Sequence, residues 1–157
     1  MTELREELRQ WLASGHTGTL VSVGAELQPH VNRIWAVRPG PALDELELFI
    51  FTSDASRLLD NMARHPTVAA NIVEPPTYRS VLFKGPATVS DHGIQPEGIE
   101  ALLAAVDLCF ERVGLAPEAG AVMRGHYARA DEFTRIVLRV VDIFDQTPRP
   151  GAGARLA

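Results

Sequence analysis

Cysteine is almost absent from this chain, with one residue, Cys109, among 157. A single thiol excludes an internal disulfide framework and a Cys-rich zinc site. Basic residues are also outnumbered, because 15 Lys and Arg stand against 20 Asp and Glu. The resulting formal charge of −5 argues against a nucleic-acid partner, since the net field does not attract phosphate backbones.

Long apolar runs are missing as well. No stretch approaches the roughly 18 uninterrupted apolar residues that a membrane-spanning helix requires. The N-terminal segment, Met-Thr-Glu-Leu-Arg-Glu-Glu, is acidic and lacks the apolar centre of a secretory signal. We therefore expect a cytoplasmic protein without a membrane partner.

The composition that is present is that of a globular domain. Hydrophobic residues make up 46% of the chain and charged residues 22%, which excludes wholesale disorder. A length of 157 residues is enough for one domain and too short for two ordinary ones. We expect a domain over residues 1–146 and an extended or mobile C-terminal tail over residues 147–157.

Apolar periodicity predicts many strands and few helices. Six strands are predicted, at residues 19–23, 30–37, 46–51, 68–73, 78–89 and 133–144, with a bend or bulge at Gly85-Pro86. Helices are predicted between Thr2 and Gly15 and over residues 54–64, 96–113 and 117–127. Because the strands are mostly joined as hairpins, we predict a mainly β fold: a six-stranded antiparallel barrel with flanking helices.

The common catalytic signatures are absent. The sequence has no Gly-rich dinucleotide loop, no phosphate-binding Gly-Lys-Ser/Thr, no zinc-type His pair and no Gly-x-Ser-x-Gly elbow. The five histidines are scattered at His16, His30, His65, His92 and His126. We assign no metal site, and we interpret Cys109 as a small apolar side chain within a helix.

Residues 51–57 combine features of an anion site. A strand ends there, hydroxyl groups gather, and a helix begins with Arg57 in its first turn. The N–H groups and dipole of a helix start attract an anion, and a guanidinium adds a bidentate donor. The alternative is ordinary helix capping by Ser53 or Asp54, with Arg57 in solvent.

A second run places charge at both ends of an apolar strand. It reads Arg33-Ile34-Trp35-Ala36-Val37-Arg38. An arginine in such a strand requires an anion, which is either a ligand or a carboxylate of the same chain.

In their order and spacing these segments resemble the FMN-binding split-barrel proteins related to pyridoxamine 5'-phosphate oxidase. The strand 33–38 resembles the flavin-contacting strand of that family, and Phe51-Thr52 resembles its aromatic-Thr pair. Two further segments carry the resemblance: Ser56-Arg57 with the following His65-Pro66-Thr67-Val68, and Tyr78-Arg79-Ser80-Val81 through Lys84-Gly85-Pro86-Ala87.

The resemblance implies a homodimer with FMN sites at the subunit interface. It implies that the flavin phosphate meets Arg57 and a strand arginine, while Thr52 lies near the phosphate or the ribityl chain. The cofactor-binding residues that it implies are Arg33, Ile34, Trp35, Ala36, Val37, Arg38, Phe51, Thr52, Ser56, Arg57 and Ser80.

The chain departs from the family pattern at three points. Leu58 stands where the family often has a phosphate-binding lysine, and Ser80 replaces a common glutamine. The chain lacks the C-terminal segment in which the oxidase carries its substrate-reading Arg-Leu and tryptophan elements, and in its place has Phe-Asp-Gln-Thr-Pro-Arg-Pro-Gly over residues 144–151. The resemblance therefore supports flavin binding and not oxidation of pyridoxamine phosphate.

We expect an FMN-dependent oxidoreductase that moves hydride to or from a small-molecule substrate. No catalytic acid or base is assigned, although His30 and Tyr78 are candidates near the site. Two alternatives stay open. One is a flavin carrier or sensor without turnover, and the other is a split barrel that binds haem or the deazaflavin F420, where haem requires an axial ligand such as His16, His30 or His126.

Overall fold

The computed structural model describes residues 3–92, 103–104, 107–108, 110–114, 118, 121–122, 125 and 133–157. The helices predicted at 96–113 and 117–127 lie largely outside these residues, and Cys109 and His126 lie wholly outside them.

Strands dominate the described part of the chain. Its elements are α1 (Glu6–Leu12), β1 (Thr17–Val23), β2 (Pro29–Ile34), β3 (Ala36–Pro39), β4 (Glu45–Phe51), α2 (Ser56–Arg64), β5 (Thr67–Glu74), β6 (Arg79–His92), β7 (Phe133–Arg139) and β8 (Asp142–Asp145). Two short 3-10 turns, Ala25–Leu27 and Thr52–Asp54, precede β2 and α2.

All strand pairs are antiparallel, in the order β2-β1-β5-β6-β7-β4-β3, and β8 pairs with β6. The two ends of this order, β2 and β3, are consecutive in the chain, so the sheet has the curved but unclosed form of a split barrel. The predicted mainly β antiparallel split barrel is confirmed. The described residues form eight strands, so the predicted number of six is wrong.

The two additional strands come from interruptions of predicted long ones. At Trp35, between β2 and β3, the backbone N–H donates to the Phe49 carbonyl at 2.9 Å. Beyond β7, the N–H groups of Val140 and Val141 donate to the carbonyls of Asp44 and Lys84, at 2.7 and 2.8 Å. Apolar alternation continues through both points, so the sequence pattern alone does not reveal the change of hydrogen-bond partner.

Strand β6 changes its pairing partner along its length and so connects the two parts of the barrel. It pairs with β5 as far as Pro86 and with β7 from Ala87, where the predicted bend at Gly85-Pro86 lies. The register shift itself lies further on, between Val89 and Asp91. A Cβ atom on Gly85 would collide with the Arg139 carbonyl oxygen, so this crossing requires glycine.

Alternate residues of the strands face a single main core. Its largest fully buried side chains include Leu20, Leu48, Ile72 and Phe83, and α1 covers it with Trp11 and Leu12. A second apolar cluster contains Ala36, Phe49 and Phe133 with Trp35, Phe51, Leu103 and Phe110 packed against them. Among the described helices, none has the length and apolar character needed to cross a bilayer.

The C-terminal segment turns back on the barrel. Gly151 and Gly153 adopt left-handed φ values of 96° and 89°, which glycine adopts without steric cost. The returning chain then bonds to β8, since the Leu156 N–H donates to the Ile143 carbonyl at 2.7 Å. Residues 147–157 were predicted to be extended or mobile, and in the structure they are hydrogen-bonded to the sheet.

Candidate functional site

Helix α2 begins without a side-chain cap. The 3-10 turn Thr52–Asp54 leads into Ala55, which occupies the N-cap position in a helical conformation, and no side chain accepts from the first N–H groups. The Ser53 hydroxyl instead donates to the Asp54 carboxylate at 3.3 Å. The alternative in which Ser53 or Asp54 caps the helix is therefore not what the structure contains. The helix start keeps N–H groups for another acceptor.

Arg57, in the first turn of α2, is exposed, and no ion pair or hydrogen bond holds its guanidinium within the described part of the chain. It lines a cavity of about 380 Å³, which we call the α2 cavity. The cavity is lined by Gly24, Ala25, Gln28, Pro29, His30, Arg57 and Asn61. An uncompensated cation in a concave site of this kind favours an anionic group.

The walls of the α2 cavity are held by local hydrogen bonds. The Asn61 Nδ2 donates to the Ser22 Oγ at 2.9 Å, which ties α2 to β1. The Gly24 N–H donates to the Gln28 carbonyl at 2.9 Å, and a Cβ on Gly24 would lie only 2.9 Å from the Asn61 Oδ1. Asn61 was not among the residues predicted from sequence, although its position one turn after Arg57 places both on the same face of a helix.

Leu58 is not among the residues that line the α2 cavity. Its side chain is fully buried in the main core. The position at which the family often carries a lysine is therefore a packing position in this chain, and no charge reaches the cavity from it.

Arg33 is not among the residues that line the α2 cavity. It projects from the outer face of β2, and its guanidinium carbon lies 4.2 Å from the centre of the Trp35 ring. The neighbouring Asn32 projects to the other face and donates from Nδ2 to the Asp54 carbonyl at 2.7 Å. This bond fastens β2 to the turn that precedes α2.

The predicted residues at the end of β4 belong to an aromatic group. Trp35 packs edge-on against Phe51 with 5.0 Å between ring centres, and Phe51 stacks on Phe133 at 4.8 Å. The Thr52 hydroxyl lies 3.0 Å from that of Thr134. The structure thus brings Arg33, Trp35 and Phe51 into one chain of contacts, and Phe51 leads directly into the turn before α2.

The side chains of Ile34, Ala36 and Val37 are buried in the two apolar clusters. A ligand beside this strand therefore meets its backbone and not these side chains. Ser56, by contrast, is exposed at the first position of α2, next to Arg57.

Arg38 has a carboxylate partner within the chain. Its Nε bonds to Glu47, which is buried on β4, and the second Glu47 oxygen accepts from Arg135 Nη1 at 3.1 Å. Arg135 also donates to the Ser90 hydroxyl at 2.9 Å. Of the two sources of an anion considered for the strand arginines, Arg38 uses the intramolecular one.

Ser80 lies in a different part of the sheet. Its Oγ donates to the Asn71 Oδ1 at 2.8 Å, and its backbone N–H donates to the Thr147 Oγ1 at 3.2 Å. Next to it is a second cavity, of about 450 Å³, which we call the tail cavity. The tail cavity is lined by Glu74, Thr77, Arg79, Val81, Asp145, Thr147 and Arg149.

The acids of the tail cavity are neutralised within the chain. Arg149 and the Thr147 hydroxyl bond to Asp145 and lower the pKa of its carboxyl to about 2. The Thr77 hydroxyl and Arg112 lower the pKa of Glu74 in the same way. The structure does not place Ser80 with the residues of the α2 cavity, and its assignment to the cofactor stays a prediction.

The histidines differ in their access to a ligand. His16 is fully buried with its ring centre 4.4 Å from that of Trp11, and burial lowers its pKa to about 4. His30 lines the α2 cavity, and its Nε2 is buried without a hydrogen-bond partner among the described residues. Within those residues no three His, Cys, Asp or Glu side chains group as metal ligands would. Tyr78, the other candidate near the site, is exposed in the turn before β6.

Known proteins share this architecture. A family model described as pyridoxamine 5'-phosphate oxidase matches residues 4–118, whereas no curated protein matches the chain in sequence. HupZ of Group A Streptococcus superimposes with a TM-score of 0.57 at 14% identity, over 96% of this chain and 98% of that one.

Two further solved structures are similar to this chain. A Clostridium acetobutylicum protein of the pyridoxinephosphate oxidase family, related to B. subtilis general stress protein 26, has a TM-score of 0.57 at 9% identity, over 96% and 92% of the two chains. HutZ, the heme storage protein of Vibrio cholerae, has a TM-score of 0.53 at 15% identity, over 93% and 97%. At these identities the likeness concerns the fold alone.

Proposed function

Since the chain belongs to the pyridoxamine 5'-phosphate oxidase family, we propose that it binds FMN and that the α2 cavity receives the phosphoryl end of this cofactor. The observation that carries the proposal is the state of Arg57. This arginine lines a cavity at an uncapped helix start, and within the described residues no carboxylate neutralises it. A phosphoryl group fits that arrangement because helix N–H groups and guanidinium both donate to its oxygens.

In this proposal the segment from Arg33 to Arg38, which joins the end of β2 to β3, would hold the flavin ring. The Asn32 bond to Asp54 keeps β2 beside the start of α2, so the two ends of one extended cofactor have neighbouring supports. Backbone groups of residues 34–37 border the ring, and Trp35 contributes an aromatic surface that Phe51 holds in place. Thr52 stands at the junction of the two regions.

We propose that the protein with FMN bound is an oxidoreductase that acts on a small-molecule substrate. FMN supplies the capacity to accept or donate hydride, and the chain binds and orients it. A flavin carrier without turnover is distinguished by a simple measurement. After photoreduction, the flavin bound to an oxidoreductase is reoxidised by small acceptors at a useful rate. The flavin bound to a carrier is not.

We also propose a homodimer that pairs through the outer face of β1, β2 and β5. Val21 stands beside Val31 on one side and Ala69 on the other, which forms an apolar row across three strands. Val31 is 56% exposed. A second copy of the chain covers this row, and light scattering is expected to give twice the monomer mass. Val31→Glu is expected to reduce that mass, while Leu43→Glu, at an exposed residue elsewhere, leaves it unchanged.

The visible spectrum of freshly purified protein is the first test. FMN binding gives the flavin absorption bands, and denaturation releases FMN for identification. In a titration, Arg57→Ala is expected to weaken the binding of FMN by roughly 1–3 kcal/mol, which is the contribution of a charge-assisted hydrogen bond. Arg64→Ala, at the exposed last turn of the same helix, serves as the matched control. Equal affinity of Arg57→Ala and wild type for FMN contradicts the assignment of the site.

Haem is the second candidate, because His30 offers a ring nitrogen without a partner at the wall of the α2 cavity. HutZ, whose fold is similar, is described as a heme storage protein. A Soret band that His30→Ala removes would favour haem over FMN. Direct titration with F420 tests the remaining ligand of this class.

A further inference from the structure

We propose that His30 is a second ligand of the phosphoryl group, acting beside Arg57 in the α2 cavity. This inference rests on the proposed function, because the phosphoryl group is that of the bound flavin. A phosphate monoester carries about 1.5 to 2 negative charges near neutral pH, which one guanidinium does not neutralise. A further donor beside Arg57 and the helix N–H groups therefore strengthens the binding of this group.

His30 and Arg57 reach the cavity from different elements. His30 follows the start of β2 at Pro29, and Arg57 belongs to the first turn of α2. Two residues further along β2, Asn32 donates to the Asp54 carbonyl at 2.7 Å. This hydrogen bond fixes the strand against the helix start, so the imidazole and the guanidinium face one cavity in a defined relation.

Two other donors at the cavity wall are already used. Asn61 Nδ2 donates to Ser22, and the Gly24 N–H donates to the Gln28 carbonyl. His30 Nε2 is different, since it is buried and no described residue bonds to it. A buried ring nitrogen without a partner is unfavourable, and because the His30 side chain lines the cavity, we infer that the ring reorients when an anion enters. A phosphoryl oxygen then accepts from the ring N–H.

The role makes His30 a determinant of specificity. Riboflavin has the ring and the ribityl chain of FMN but no phosphoryl group. A residue that bonds to the phosphoryl oxygens contributes to the affinity for FMN and not to that for riboflavin. A residue that only supports the cavity wall affects both ligands equally.

The test compares FMN and riboflavin titrations for wild type, His30→Phe and His30→Gln. We expect His30→Phe, which keeps a ring of similar size without an N–H, to weaken FMN about 10-fold and to leave riboflavin unchanged. His30→Gln restores a donor and is expected to recover most of the affinity for FMN. His65→Phe, at an exposed histidine after α2, is the matched control.

Each result decides the proposal. If wild type binds FMN and His30→Phe binds both flavins as wild type does, or loses both equally, the phosphoryl role of His30 is overturned while the proposed function stands. If wild type binds no FMN, the proposed function fails, and inorganic phosphate becomes the probe. A phosphate-induced shift of the His30 ring resonances that Arg57→Ala abolishes supports the anion site, and no shift overturns it. The phosphate titration uses wild-type protein and also decides the case if His30→Phe does not fold.

Discussion

Arg38 and Arg57, two arginines predicted to meet the cofactor, stand in opposite environments. Arg38 shares the buried Glu47 carboxylate with Arg135, which in turn reaches Ser90. Arg57 lines a cavity, and no described carboxylate lies within ion-pair distance. The first arginine belongs to a closed network inside the sheet, and the second belongs to an open site.

The difference shows that arginines do not identify an anion site by themselves. What decides is whether the fold brings a carboxylate to each of them. Glu47 is the direct cross-strand neighbour of Arg38, a pairing fixed by the β3–β4 register. The tail cavity makes the same point, because its Arg149 is bonded to Asp145 at 2.5 Å. Closed networks of this kind contribute to stability, whereas an open site leaves its cation available to an anion.

Breaking the closed network is expected to have the largest effect. Glu47→Gln removes the negative charge that Arg38 and Arg135 share, so two partly buried guanidinium groups lose the carboxylate that lies between them. We expect the free energy of unfolding to fall by roughly 3 kcal/mol, as when one partner of a buried ion pair is removed. Urea denaturation followed by circular dichroism measures the loss.

The matched control for this change is Glu45→Gln. Glu45 lies two residues earlier on the same face of β4, and no ion pair engages it in the described residues. We expect a change of less than about 0.5 kcal/mol for this control. Equal stabilities of the two variants would show that the Glu47 network is no stronger than a surface ion pair.

The effect of acid on the free energy of unfolding tests a buried group that titrates, His16. His16 is buried and neutral, with a pKa of about 4 against 6.5 in the unfolded chain. Above pH 6.5 neither the folded nor the unfolded state binds the proton, so the burial of His16 does not lower the free energy of unfolding. As the pH falls from 6.5 to 4 the unfolded state binds a proton that the folded state excludes, and stability is lost. We expect a loss of roughly 2 kcal/mol across this window after allowance for solvent screening.

The measurement is the urea midpoint between pH 7 and pH 4.5. Glu74 and Asp145 have lowered pKa values, so their contribution to stability is lost as the pH falls below the ordinary carboxyl values of 4.5 and 3.8, where the unfolded chain binds the proton. Most of that loss lies below the pH range measured for His16. His16→Gln removes the titrating ring. It is expected to make the urea midpoint less dependent on pH, whatever its effect on stability at pH 7. A profile of unchanged slope in His16→Gln would assign the acid sensitivity to other groups.

Much of the fold is predictable because it depends on local pattern. The alternation within β1, β4 and β5 and the helical spacing of α2 locate these elements to within a few residues. The breaks at Trp35 and Val140 are not visible in the pattern, because apolar residues continue through them. Both depend on carbonyl groups from elsewhere in the fold, of Phe49 on β4 and of Asp44 in the turn before β4.

The candidate site divides in the same way. The proposed anion site at the start of α2 is predictable from sequence, since a strand end, hydroxyl groups and Arg57 are contiguous there. The presence of His30 and Asn61 in the lining of the α2 cavity is not, because it depends on how the 3-10 turn Ala25–Leu27 brings β2 to the helix. Glu47 was equally hidden, since one of several acids becomes the partner of Arg38 only through strand register.

The smallest expected effect concerns the turn beside the open site. Leu27 adopts a left-handed φ of 59° with its side chain 78% exposed, so it bears backbone strain without burying apolar surface. Leu27→Gly removes that strain but adds conformational freedom to the unfolded chain, which leaves a net gain of at most about 0.5 kcal/mol. Leu43→Gly, at a 53% exposed leucine without a positive φ, is expected to lose about 0.5–1 kcal/mol. Thermal unfolding of both variants gives the difference, and equal losses would place the strain outside this turn.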